Sequence, residues 1–212
     1  NNQLTGAIPA ELFTLPLLGA LNLDHNSFSG PLPDFPFNTG LATLTVVGNK
    51  LNGTIPESIV NVTALEALAL GENDLSGSIP TYLQELDSLR FLGIWENQLT
   101  GSLISELWNM TRLELLNLKG NSLTGSISAS IGQLTSLLLL SFGTNELTGS
   151  IPSEIGLLTR LTGLNLSFNR LSGLIPTELA ALSDLDTFLV HVNDLSGNLT
   201  GLCDARSGLF NG

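Results

Sequence analysis

Residues 65–88 read LEALALGENDLSGSIPTYLQELDS, and the same pattern returns along almost the whole chain of 212 residues. Its most regular mark is an asparagine that recurs every 24 residues, apart from one step of 23, at Asn2, Asn26, Asn49, Asn73, Asn97, Asn121, Asn145, Asn169 and Asn193. A glycine follows each asparagine four residues later, and an Ile-Pro pair such as Ile79-Pro80 often comes next. Matched positions at one fixed period are typical of a solenoid of stacked units.

Each full repeat places two apolar residues in the spacing Leu-x-Leu before its asparagine, as Leu68 and Leu70 stand before Asn73. Alternation with a period of two puts both leucines on one face of a short strand. One unit cannot bury that face alone, so we expect stacked units to form a parallel sheet over a continuous leucine core. We expect the asparagine to bond turn backbone where the strand ends. Residues 154–158 are expected to form a short helical turn on the opposite, convex side.

These repeats resemble the plant-type leucine-rich repeat, whose pattern is LxxLxxLxLxxNxLxGxIPxxLGxL. The resemblance implies an α/β solenoid, a right-handed superhelix with a concave parallel β-sheet, short second strands and convex 3-10 or short helical turns. It covers residues 1–202, in about eight to nine repeats, and residues 203–212 are expected to begin a C-terminal cap or tail that is truncated. The family includes ectodomains of receptor-like kinases and receptor-like proteins, polygalacturonase inhibitors and algal relatives. Membership implies an extracellular location and a role in recognition.

Charge and hydropathy narrow the classes of partner. Seven Lys and Arg residues stand against nineteen Asp and Glu residues, which gives a net charge of -12. Such a surface repels phosphate backbones, so we expect no nucleic-acid partner. An uncharged apolar stretch of about 18 residues is missing, so we expect no direct membrane insertion in this segment.

Residues that could support catalysis are few and far apart. The two histidines, His25 and His191, would lie seven strands apart, or roughly 34 Å at the spacing of parallel strands. We therefore expect no enzyme activity, no metal site and no cofactor. The single cysteine, Cys203, follows the last repeat, where the family resemblance implies a cap disulfide with a partner outside this chain segment. A free buried thiol remains the alternative.

Residues two, four and six positions before each asparagine are expected to face solvent on the concave side, where they need not pack. Phe91, Leu115 and Leu139 follow one another in one such column, and strands about 4.8 Å apart would bring them into contact. Trp95 belongs to the same strand face as Phe91, and charged residues surround the group. Exposed aromatic residues near arginine are typical of binding hot spots. The predicted ligand-binding site consists of Arg90, Phe91, Trp95, Glu96, Glu114, Leu115, Lys119 and Leu139.

The alternative interpretation of this group is incidental apolar surface, or cover for a neighbouring superhelical turn. Five sequons accompany it and fit an extracellular glycoprotein, at Asn52, Asn61, Asn109, Asn165 and Asn198. Asn61 and Asn109 are the best candidates for glycosylation because they are expected on the convex side. A glycan on Asn165 would obstruct the concave strands.

Taken together, the sequence predicts a non-catalytic extracellular recognition module that binds a protein, peptide or glycan. A structural subunit of a matrix, wall or larger assembly is the alternative. A third possibility is ice binding, because two columns of small hydroxyl residues run along successive repeats: Thr54, Ser78, Ser102, Ser126 and Ser150, beside Thr100, Thr124, Thr148, Ser172 and Ser196. The simpler interpretation of these columns is that they serve the second strand.

Overall fold

The computed structural model describes residues 2–38 and 40–197, and it contains seventeen short strands in that range. In chain order these are β1 Thr5–Gly6, β2 Ala20–Asn22, β3 Ser27–Pro31, β4 Thr43–Thr45, β5 Lys50–Gly53, β6 Ala67–Ala69, β7 Asp74–Ser78, β8 Phe91–Gly93, β9 Gln98–Ser102, β10 Leu115–Asn117, β11 Ser122–Thr124, β12 Leu139–Ser141, β13 Thr148–Gly149, β14 Gly163–Asn165, β15 Arg170–Leu174, β16 Thr187–Leu189 and β17 Asp194–Ser196. Each complete coil therefore contributes two strands, one before its asparagine and one after it.

The even-numbered strands from β2 to β16 form a parallel sheet of eight strands, in which each strand pairs with the corresponding strand of the next coil. Pairing is in register with the repeat, so that Leu68 lies opposite Leu92 and Leu92 lies opposite Leu116. The predicted concave sheet is confirmed. The remaining strands pair in the same way along a second surface, in one group of six strands and one of three.

Seven 3-10 helices run along the convex side of the described residues: Ala10–Thr14, Glu57–Asn61, Thr81–Glu85, Ser105–Asn109, Ala129–Gln133, Ser153–Leu157 and Thr177–Ala181. Five of them begin directly after a proline, whose fixed φ suits the extended residue that precedes the turn. Where Ser128 replaces proline, its hydroxyl accepts a hydrogen bond from the Ser130 amide at 3.1 Å. The predicted convex turns are confirmed, and none of the described helices has the length and apolar character needed to cross a membrane.

The core is one continuous stack of mostly aliphatic residues between the concave sheet and the convex helices. In the coil of Asn97, the positions eight, five and three residues before the asparagine are Leu89, Leu92 and Ile94, and all three are buried. The equivalent positions are buried in the neighbouring coils, as the pattern predicts. Trp108, on a convex helix, packs into the same stack and is 2% exposed. Its burial shows that the large convex side chains fill space between coils.

The asparagines form a ladder that joins each coil to the one before it. Asn121 is representative: its Nδ2 donates to the carbonyls of Leu118 and Lys119 in its own coil and of Ile94 in the preceding coil, at 2.9–3.4 Å. Its Oδ1 accepts a hydrogen bond from the Leu99 amide at 2.9 Å. The same set of partners recurs from coil to coil, so the predicted role of the asparagine is confirmed.

The residue immediately before each asparagine from Asn26 to Asn193 adopts a left-handed conformation, which the sequence pattern did not reveal. Six such residues are not glycine: His25, Glu72, Glu96, Thr144, Phe168 and Val192 have φ between 49° and 56°. This conformation costs about 1–2 kcal/mol for most L-residues. In five of the six, all except Val192, a hydrogen bond from the amide to the next coil offsets the cost; the Glu72 amide, for example, donates to the Trp95 carbonyl at 2.8 Å. The bend carries Glu72 and Glu96 to the rim of the concave sheet.

We expect the substitution Asn121→Ala to lower the free energy of unfolding by about 2–3 kcal/mol, because it leaves a backbone amide and several carbonyls of two coils without a partner. Urea unfolding followed by circular dichroism measures this. Asn52→Ala is the matched control, since Asn52 is exposed, and its effect is expected to stay within about 0.5 kcal/mol. Equal losses in the two variants would contradict a structural role for the ladder.

Candidate ligand-binding site on the concave sheet

The structure places the three apolar residues of the predicted site side by side. Phe91 on β8 is the register partner of Leu115 on β10, and Leu115 is the register partner of Leu139 on β12. Phe91 and Leu115 are half-buried, whereas Leu139 is 43% exposed. These side chains form an apolar row across three strands, on the face opposite the leucine core.

Trp95 is less exposed than predicted, because it is half-buried and its ring lies flat on the sheet. The ring covers two glycines, Gly93 in its own coil and Gly71 in the preceding coil. A methyl group added at Gly93 would come 2.5 Å from the ring atom Cζ3, and one added at Gly71 would overlap the ring even more closely. The absence of side chains at these two positions is what allows the indole to lie down.

Phe91 also lies over Gly93, since a methyl group at Gly93 would come 2.9 Å from its Cε1 atom. Trp95 and Phe91 therefore both lie over Gly93, and these two side chains are called the aromatic platform below. The two glycines belong to the columns two and four positions before the asparagine. The presence of both glycines next to a tryptophan is the feature of the sequence from which this arrangement could have been predicted.

The four charged residues of the predicted site form two ion pairs between coils. Arg90 pairs with Glu114, whose hydrogen bond and negative charge raise the pKa of the arginine. Lys119 Nζ lies 3.1 Å from Glu96 Oε1. A fifth residue, Glu72, was missed: its Oε1 lies 3.5 Å from the indole Nε1 of Trp95. Both pairs are solvent-exposed, so each contributes little to stability and mainly orients its side chains.

A hollow lies beside the apolar row, and the sequence analysis did not identify it. Gly163 on β14 stands between Leu139 on β12 and Thr187 on β16, so one position in the column has no side chain. Leu139 leans over this gap, and Asn165 and Asp186 are among the polar residues that line it. A glycine within a column of larger residues is the signal that could have indicated the hollow. The apolar row thus continues into a depression with polar walls.

The sequons occupy different environments. Asn52 and Asn109 are exposed, and Asn109 is the last residue of a convex helix, as predicted. Asn61 is less open than predicted: it is half-buried, and its Nδ2 donates to the Phe35 carbonyl at 2.9 Å. Asn165 is half-buried on the concave sheet. Asn198 and Cys203 lie outside the described residues.

Groups for catalysis or metal binding are not brought together in the part of the chain that the structure describes. His25 and His191 follow β2 and β16, which are the opposite edges of the concave sheet. Within residues 2–38 and 40–197, no three His, Cys, Asp or Glu side chains form a group that could hold a metal ion. His191 instead packs edge-to-face against Phe168, with ring centroids 5.0 Å apart.

Comparison with known proteins agrees with this architecture. The profile of the Leucine Rich Repeat family matches residues 112–134 and 160–182. A plant peptide hormone receptor solved in complex with its hormone, RGFR1 with RGF2, is 40% identical and has a TM-score of 0.89; the match covers 98% of this chain and 33% of the receptor chain. The chain is similar to plant-type leucine-rich-repeat proteins along nearly its whole length. Its LxGxIP elements form the second strands that lead into the convex turns.

Two further proteins that resemble this chain are described by different functions. Receptor-like protein 6 of Arabidopsis thaliana is 37% identical over 67 residues, which are 31% of this chain and 7% of that protein. A plant ice-binding protein of known structure is 28% identical with a TM-score of 0.77, over 93% of this chain and 72% of that protein. The chain thus spans about a third of the RGFR1 chain and 7% of Receptor-like protein 6.

We expect the substitution Gly71→Ala to displace the Trp95 ring, because the new methyl group would occupy the space of the indole. The measurement is tryptophan fluorescence, in which a more exposed Trp95 emits at longer wavelength and is quenched more strongly by acrylamide. The buried Trp108 is little affected by the quencher. Gly19→Ala is the matched control, since its methyl group would meet nothing closer than 3.8 Å. Identical quenching of the two variants would contradict the flat placement of the ring.

Proposed function

We propose that this chain is a non-catalytic, extracellular recognition module that binds a peptide or protein ligand on its concave sheet. The observation that carries the proposal is the contrast between the two faces of that sheet. The inward face repeats apolar, mostly aliphatic residues in every coil, whereas the outward face carries the aromatic platform, the apolar row and the hollow over Gly163. Residues that need not pack are free to contact a ligand.

The kinds of relative support this function and the extracellular location. RGFR1 is a peptide hormone receptor and was solved with RGF2, and Receptor-like protein 6 carries a receptor-like name. The solenoid architecture also suits recognition, since stacked coils create an extended concave surface. A structural role in a matrix or wall remains the alternative, and it would require contacts at edges and ends rather than at the concave sheet.

We expect Phe91→Ala combined with Trp95→Ala to weaken ligand binding about tenfold or more, because truncated anchors lose most of their binding energy. Tagged protein is incubated with extracellular proteins and peptides of the source organism, and the captured molecules are identified by mass spectrometry. The matched control is Leu157→Ala with Leu174→Ala, which removes exposed apolar residues outside the concave sheet. Capture that survives the first pair of substitutions and is lost with the second would favour the structural alternative.

Ice binding is a second candidate, favoured by the likeness to a plant ice-binding protein. The hydroxyl column three residues after the asparagine is exposed on the second strands, but its hydroxyl groups are partly engaged. Thr124 and Thr148 each donate a hydrogen bond to the carbonyl of a glycine in the preceding coil, Gly101 and Gly125, at 3.2 Å. These contacts give the column a role in joining the second strands, which supports the simpler interpretation.

We expect purified protein to show no thermal hysteresis, since hydroxyl groups that bond their own backbone are less able to order water in a lattice. The freezing point and the melting point of ice crystals are measured by nanolitre osmometry with concentrated protein. The variant with Thr124→Val and Thr148→Val serves as the control. A hysteresis gap in the unmodified protein that disappears in this variant would overturn the expectation and establish the second candidate.

A further inference from the structure

The rims of the concave sheet carry an unbalanced charge. The positions seven, two and one residues before the asparagines hold six carboxylates and two Lys or Arg residues: Asp24, Glu66, Glu72, Glu96, Glu114 and Asp186, with Arg90 and Lys119. Both cations are already engaged by carboxylates of this surface. Across the described residues, no ion pair involves any of the other four carboxylates. Two of these four still interact with the protein: Glu66 contributes, after Glu114, to the raised pKa of Arg90, and Asp24 accepts a hydrogen bond from the Val47 amide at 2.8 Å. Glu72 and Asp186 therefore offer a ligand the negative charge that is least compensated by this surface.

One of these carboxylates, Glu72, lies at the edge of the aromatic platform. Its Oε1 is 3.5 Å from Trp95 Nε1, a distance that allows only a weak hydrogen bond. Glu72 is exposed, and its left-handed backbone conformation holds it at the rim, next to the coil that carries Trp95. The carboxylate is thus available to a group that approaches along the indole.

The indole presents one face to such a group. Gly71 and Gly93 cover its other face, so the ring is held flat and needs little reorganisation to receive a ligand. The face of a tryptophan carries the negative end of its quadrupole and attracts a cation. A carboxylate at the ring edge adds a full negative charge to the same place.

We propose that the concave sheet recognises a basic peptide segment, in which one arginine or lysine side chain lies on the Trp95 indole and pairs with Glu72. This inference rests on the proposed function and names the chemistry of its ligand. Charge complementarity selects the occupant, because the charged group at the edge of the indole is the carboxylate of Glu72, which forms no ion pair among the described residues. A planar guanidinium both stacks on an indole and pairs with a carboxylate, so arginine fits better than lysine.

The probe is a capped hexapeptide of alanine with two arginines, compared with the same peptide carrying glutamine in place of arginine. Binding to the unmodified protein is followed by protection of Trp95 from acrylamide quenching and by calorimetry. We expect the arginine peptide to protect Trp95 and to bind more weakly as salt rises, since exposed charge pairs are screened. The glutamine peptide is expected to bind at least about fivefold more weakly.

Two variants locate the cation. Glu72→Gln is expected to weaken binding of the arginine peptide about threefold, and Trp95→Ala about fivefold, by loss of an exposed ion pair and of a cation–π contact. Glu85→Gln is the matched control, because it removes one carboxylate from an exposed position on a convex helix. It is expected to leave the affinity unchanged.

Three outcomes would overturn the inference: equal binding of the two peptides, equal effects of Glu72→Gln and Glu85→Gln, or no protection of Trp95 by the arginine peptide at millimolar concentration. Stronger protection by a neutral oligosaccharide, tested with cellohexaose, would also overturn it. A failure of the proposed function can be distinguished from a failure of this inference. Suppose that capture of a natural ligand is lost with Phe91→Ala and Trp95→Ala but does not change with Glu72→Gln or with salt. The proposed recognition function would then be supported, and the preference for a cationic side chain would be contradicted.

Discussion

The hydrogen-bonded asparagine ladder is the constraint on which the rest of this structure depends. A short strand that ends in a sharp bend leaves backbone groups that no sheet partner satisfies, and such groups are costly when they are buried. One asparagine side chain per coil satisfies groups in two coils at once, as Asn121 does. The ladder therefore fixes the bend within a coil and the register between coils, and the aliphatic core stacks in that register.

A fixed register allows the residues on the outward face of the concave sheet to vary. Because the ladder and the inward leucines hold the coils together, the outward positions can vary from strand to strand without loss of packing. The outward positions accordingly include both large side chains and glycines. It places large residues such as Trp95 and Leu139 beside positions without side chains, such as Gly71 and Gly163. Flat aromatic surface and depressions therefore lie on one rigid sheet, which is a favourable basis for recognition.

The same regularity explains why the charges around the aromatic platform are unequal. Each ion pair of the concave rim joins successive coils, and Arg90 and Lys119 are both used in this way. Carboxylates outnumber these cations, so residues such as Glu72 have no ion-pair partner among the described residues. An acidic surface of this kind attracts basic ligands over a distance and repels nucleic acids, which unites the overall net charge with the local chemistry of the site.

The sequence by itself determined the period, the inward leucine columns, the role of the asparagine and the convex turns, because each of these depends only on the spacing of residues within one repeated unit. It also indicated which columns face outward, and it grouped Phe91, Leu115 and Leu139 correctly. Only the tertiary structure decided that Trp95 lies down over Gly71 and that the hydroxyl of Thr124 bonds a carbonyl of the preceding coil. Those contacts join residues about one coil apart, and they depend on side-chain rotamers and on the space that a neighbouring coil leaves open, which spacing along the chain does not specify.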